Sequence, residues 1–266
     1  MLERFSIITD TKEMQKALLK KISAEVGEEV AVDVDDNAIK IASDSDKAKE
    51  KIIKAISDTI VEKYENKLLN KLINQNYFYF TLPDKRNILK KAISYTDEEK
   101  IYSNLVRAKL NEYLSTADKL TLEGFVNFRL KDYQNELEEV IDRAVDDFMI
   151  EKEYKEFIKL LKYFVEIQNP RYELVNIVPV GSEYSMYDGH GSDITKECMR
   201  EFARDIQNQR INSDDLLISS LISIAPRRVC IHRPDDIENT ELLSTIEQVF
   251  SKKISMCSGC SICEKH

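Results

Sequence analysis

The chain of 266 residues has no tryptophan, only six glycines and five prolines, and three histidines. So little punctuation leaves few positions for turns, which points to long helices with a few strands rather than to a turn-rich all-β fold. No run reaches the roughly 20 apolar residues that a membrane helix needs. The opening MLERFSIITDTKEMQK carries acids near its beginning and lacks the apolar stretch of a signal peptide. A soluble, cytoplasmic protein without membrane insertion is the expectation. Lysine and arginine total 39 against 48 acids, a net charge of −9. The chain therefore lacks the basic stripe that neutralises phosphates, which argues against a nucleic-acid partner. It also lacks a GxSxG elbow, a P-loop and an HExxH motif, so no complete catalytic signature assigns an enzymatic reaction.

What is present is 42% hydrophobic sequence, enough for one large or two modest cores. ERFSIITD reads as a strand, and the following helix opens at Asp10 with Glu13 three positions on, in the manner of a capping box. Met14, Leu18, Ile22 and Val26 form its apolar stripe, and Gly27 can end it. VAVDVDDNAIKIAS alternates on both sides of Asp35-Asp36-Asn37, the pattern of a hairpin. A long helix follows from Asp46, with Ile52, Ile56, Ile60, Tyr64, Leu68 and Leu72 at helical spacing. Residues 1–75 thus read as a β-α-β-β-α unit.

Residues 76–170 read as a helical middle section of long amphipathic helices. YFYF, at 77–80, precedes Pro83 and reads as core packing rather than a base-stacking platform, because it has no basic neighbours. Between 131 and 160 there are ten acidic and five basic residues. They read as a solvated helical face, and as the surface through which other proteins, the expected partners, would be met. After Pro170 the pattern becomes β-β-α-α-β-α-β over residues 171–255, followed by a cysteine-rich tail, 256–266. The fold class is α+β, with a C-terminal mixed α/β unit.

That tail, ISMCSGCSICEKH, holds the sharpest chemistry: Cys257, Cys260 and Cys263 stand three residues apart. Thiolates at C-x2-C spacing bind zinc or iron–sulfur clusters, and here three of four ligands are present. Three residues qualify as the fourth. His266 is close along the chain. Cys230 and His232 share one face of the strand RVCIH, and if this strand lies parallel to ISMC, His232 and Cys257 end at the same level. Cys198, beside Met199, reads as buried packing. Asp188, His190 and Asp193 in YDGHGSD read as a tight connection, and Arg227, Arg228 and Arg233 as partners for nearby acids.

EGFVNFRLKDYQNELEEVIDRAVDDFMIEKEYKEFIKLLKYFVEIQNP, DDLLISSLISIAPRRVCIH and the terminal CSGCSIC together resemble the YtxC-like sporulation protein family of endospore-forming bacteria. The resemblance implies a spore-formation role without an assigned activity, and it brings no catalytic residues. The reading is a non-enzymatic interaction factor with a zinc or iron–sulfur site in its tail. A thiol or iron–sulfur redox protein and a zinc-stabilised nucleic-acid-acting protein are the alternatives.

Overall fold

A computed structural model describes residues 3–27, 30–43, 45–98, 102–203 and 212–265. Among the described residues the fold is mixed α+β with two four-stranded sheets, and the chain divides into two compact units, Met1–Ile150 and Glu151–His266.

In the first unit, β1 (Glu3–Ile8) leads into α1 (Lys12–Val26). The cap is Thr11, one residue later than the sequence reading placed it: its Oγ1 accepts from the amide of Met14 at 3.2 Å. Gly27 ends the helix at φ 58°, a conformation in which a Cβ is strained. β2 (Ala31–Val34) and β3 (Ala38–Ser43) form the expected hairpin. α2 (Asp46–Asn76) buries the apolar residues that its spacing marked, and also Ala48, Ala55, Ser57 and Thr59. These small side chains let neighbours approach closely, and Ser57 Oγ donates to the carbonyl of Ser103 at 2.8 Å.

α3 (Leu82–Glu98) carries Pro83 in its first turn, where an amide has no intrahelical partner to lose. α4 (Tyr102–Leu114) then packs on α2. The 77–80 run is divided: Tyr77 and Phe80 pack against the core, Phe80 meeting Phe148 edge-on at 5.7 Å, whereas Phe78 and Tyr79 are exposed. A short strand that periodicity did not reveal, β4 (Lys119–Thr121), pairs in parallel with β1. This completes the order β2-β3-β1-β4 and ties α3, α4 and α5 (Leu122–Phe128) to the N-terminal elements.

α6 runs from Lys131 to Ile167 and contributes its first part to this unit. Its acids are engaged as well as solvated. Asp142 and Asp147 accept from the hydroxyls of Tyr77 and Tyr95, and Asp132 pairs with Lys109 at 3.3 Å.

In the second unit, β5 (Val175–Val180) turns at Gly181 into β6 (Glu183–Asp188). Then come α7 (Thr195–Ala203), α8 (Ser213–Ile224), β7 (Val229–Ile231), α9 (Thr240–Phe250), β8 (Ile254–Met256) and α10 (Ser261–Lys265). The sheet order is β6-β5-β7-β8, with β5, β7 and β8 parallel. Val175, Ile177, Val229 and Ile231 project into a core with Leu217, Leu221, Ile246 and Phe250 from α8 and α9. The alternate residues, Asn176, Cys230 and Ser255, lie side by side on the opposite face. Pro179 sits beyond the stretch of β5 that β7 pairs with, so its missing amide breaks no bond to that strand.

Ile56 is fully buried on α2. Ile56→Ala should cost about 2–5 kcal/mol in urea unfolding, and a loss below about 1 kcal/mol would contradict a close-packed site.

Candidate metal centre

The parallel register levels Ile231 with Met256, and the amide of Cys257 donates to the carbonyl of Ile231 at 2.8 Å. His232 and Cys257, each one residue past its strand, are thereby brought together at the C-terminal edge of the sheet. Ligands commonly bind at this edge of parallel strands. Beyond Cys257 the chain reverses at Gly259 (φ 128°), whose amide donates to Cys257 Sγ at 3.4 Å. Cys260 follows at the head of α10, and Cys263 stands in its first turn.

The result is a cluster of one nitrogen and three sulfurs, His232, Cys257, Cys260 and Cys263, whose ligand atoms all lie within 4.8 Å of one another. His232 Nδ1 is 3.3 Å from Cys263 Sγ and 3.4 Å from Cys260 Sγ. The sulfur of Cys263 is 3.8 Å from that of Cys260 and 3.7 Å from that of Cys257. These separations exclude disulfides, whose sulfurs are about 2.05 Å apart. They lie within a few tenths of an ångström of the edges of a tetrahedron around one ion: with bonds of about 2.3 Å to sulfur and about 2.1 Å to nitrogen, ligand atoms would lie about 3.5–3.8 Å apart. An iron–sulfur cluster distributes its ligands over different irons, a wider arrangement than a shared single centre.

The electrostatics favour the same occupant. Gly259 N–H stabilises a thiolate at Cys257, but partial desolvation and the neighbouring Cys260 and Cys263 thiols outweigh it and push this thiol up to about 11. Cys260 is lowered, because the amides of Cys263 and Ile262 point at its sulfur. Three adjacent thiolates repel one another, and a divalent cation is what permits all of them to ionise. Burial lowers the pKa of His232, keeping its imidazole neutral as a metal ligand requires.

Asn176 sets the direction in which that imidazole presents its lone pair. Its Nδ2 donates to the carbonyl of Asp188 at 3.0 Å, so its Oδ1 is the atom 3.1 Å from His232 Nε2. Nε2 therefore carries the proton, and Nδ1 is left to face the three sulfurs. Sequence periodicity had not singled out Asn176. Its signal was a polar residue within the otherwise apolar strand VNIVPV.

Of the other nominated residues, Cys230 lies on the same sheet face, level with Asn176, but is not one of the four clustered ligands. His266 lies outside the described residues. Cys198 is buried in the second core. Asp188 accepts from the amides of His190 and Ser192, and Asp193 from that of Thr195, so both acids shape the connection after β6. Arg227 pairs with Glu173 and Arg233 with Asp236, each at 3.1 Å.

Comparison with known proteins gives these elements a family. The model of the YtxC-like family matches residues 50–255. The chain belongs to the YtxC-like family. A curated relative, "Uncharacterized protein YtxC" of Bacillus subtilis (strain 168), is 27% identical over 205 residues, covering 72% of this chain and 71% of the relative. No solved structure matches. The matched span takes in Asn176 and His232 and stops at residue 255, short of the three tail cysteines, so the YtxC-like match does not extend to the complete ligand set.

Asn176→Leu removes the acceptor on Nε2 and should weaken zinc binding 10- to 100-fold in a competition titration. Asn176→Asp, which still accepts that proton, should retain most of the affinity. Equal affinity in wild type and Asn176→Leu would show that His232 needs no such orientation.

Proposed function

We propose that this protein is a cytoplasmic, sporulation-associated interaction factor without a reaction of its own, and that its C-terminal unit is closed by one zinc ion on His232, Cys257, Cys260 and Cys263. The observation that carries the metal reading is the convergence of four ligand atoms within 4.8 Å of one another, with four of the six separations at 3.3–3.8 Å, close to the edges of a tetrahedral centre. Four protein ligands leave no open position for water or substrate, which is the pattern of a structural rather than a catalytic zinc site. Zinc accepts this mixture of thiolate and imidazole without a redox role. A structural role also fits the tail itself, since no residue among Cys257–Glu264 is buried. The spore-formation role is drawn from the family resemblance, and the absence of a complete catalytic motif supports a non-enzymatic reading. Pairing of Arg227 and Arg233 with acids disfavours a nucleic-acid grip.

Protein purified without chelator should contain about one zinc per chain and release it when the thiols are protonated or a strong chelator is added. Cys260→Ser and His232→Ala should each lower the content severalfold, while Cys230→Ala and His266→Ala should leave it at one. Iron with visible absorption, or a metal-free tail that cycles between thiol and disulfide, would replace the zinc reading with the redox one. For the cellular role, deleting the gene should reduce the yield of heat-resistant spores. An undiminished yield would remove the link to spore formation while leaving the metal result standing.

A further inference from the structure

The second half of α6 is apolar on two sides. Ile158, Leu161 and Val165 face the core of the C-terminal unit. About 120° around the helix, by the 100° advance per residue of an α-helix, lies a second stripe that is not buried. It consists of Phe157, Leu160, Tyr163, Phe164 and Ile167, each 43–58% exposed. A helix packed on one core needs one apolar face, with polar residues opposite. Here the second face has its own order. Phe157 and Phe164 are seven residues apart, as are Leu160 and Ile167, and the two series interleave by three and four. Those are the a and d positions of a helix-pairing seam.

We infer that this seam is an interface with a second copy of the chain, α6 pairing with α6 across a two-fold axis. The area decides for a copy over an isolated surface feature. A half-exposed aromatic or large aliphatic side chain offers about 100 Å², so the five supply about 500 Å² per chain. That is near the upper end of the largest apolar patch a monomer usually exposes. Covered by its own duplicate, the stripe buries about 1,000 Å² from apolar side chains alone, the level a specific interface must reach before polar rim residues are added. Self-pairing also supplies a partner with matching seven-residue spacing, since in a two-fold interface the same patch serves on both sides. This inference is independent of the metal centre. It replaces the acidic face of α6, several of whose carboxylates are engaged within the first unit, with an apolar one as the surface of association.

Sedimentation velocity on the full-length zinc-loaded protein at micromolar concentration tests it. Wild type is expected to sediment at twice the chain mass, and Phe157→Glu/Phe164→Glu as a monomer with unchanged circular dichroism and zinc content. These residues are exposed, so the double variant should still fold. Leu160→Ser/Ile167→Ser, free of added charge, should raise the dimer dissociation constant at least 10-fold. Phe78→Glu, which alters an exposed aromatic elsewhere, should remain dimeric. A monomeric wild type, a dimer that survives both seam variants, or a dimer lost through Phe78→Glu would overturn the inference. So would a wild-type chain that stays monomeric and uses the seam to hold a different protein. Loss of zinc from Cys260→Ser with the dimer intact would separate the fate of this inference from that of the metal centre.

Discussion

One hydrogen bond, from the amide of Cys257 to the carbonyl of Ile231, sets the conditions for everything at the C-terminal edge. It extends the parallel pairing of β7 with β8 by one residue and places the first tail cysteine beside His232. Because strand side chains alternate, a slip of one residue would send Cys257 to the core face and leave His232 facing methionine or serine. The register is held from the other side of the sheet by Val229 and Ile231, which are fully buried against α8 and α9. The position of the site is thus decided by apolar packing that takes no part in its chemistry.

The chemistry then follows from crowding. A buried neutral imidazole is inexpensive to keep, whereas three thiolates within van der Waals reach of one another are not. A cation held there would remove that conflict and give the tail a reason to remain folded over the edge. β8 has three residues and α10 five, too few to bury an appreciable apolar area. A metal crosslink would supply to such a segment what a core supplies to the rest of the unit. Asn176 extends the arrangement inward: its own orientation is fixed by the carbonyl of Asp188, so β5 and β6 determine which imidazole nitrogen meets the sulfurs.

Several elements were legible because local pattern and global packing agree. The alternation of β3 in the hairpin, the apolar face of α2 and the β-β-α-α-β-α-β order of the second unit all express periodicity that the cores preserve, whereas β2 is exposed along its length and is placed by its pairing with β3. β4 was not legible. Three residues carry too little periodicity, and its identity as a strand comes from pairing with β1, more than a hundred positions away. The run at 77–80 was only half legible, since composition marks aromatics as apolar but cannot say which of four consecutive rings turns inward. Strand phase did nominate both Cys230 and His232. Choosing between them required the strand end, because Cys230 is level with Ser255 while His232 is level with the cysteine.

The sequence by itself determined the inventory: an acidic, helix-rich α+β chain with three thiols at metal-binding spacing and a pair of candidate ligands on one strand. Those properties are local, set by residue type and by spacing along a few turns or a single strand. Tertiary structure alone decided that His232 completes the group, that Asn176 directs its free nitrogen, and that one stripe of α6 remains uncovered. Each of these depends on contacts between segments distant in the chain, where the packing of the core, rather than any local preference, chooses the neighbours.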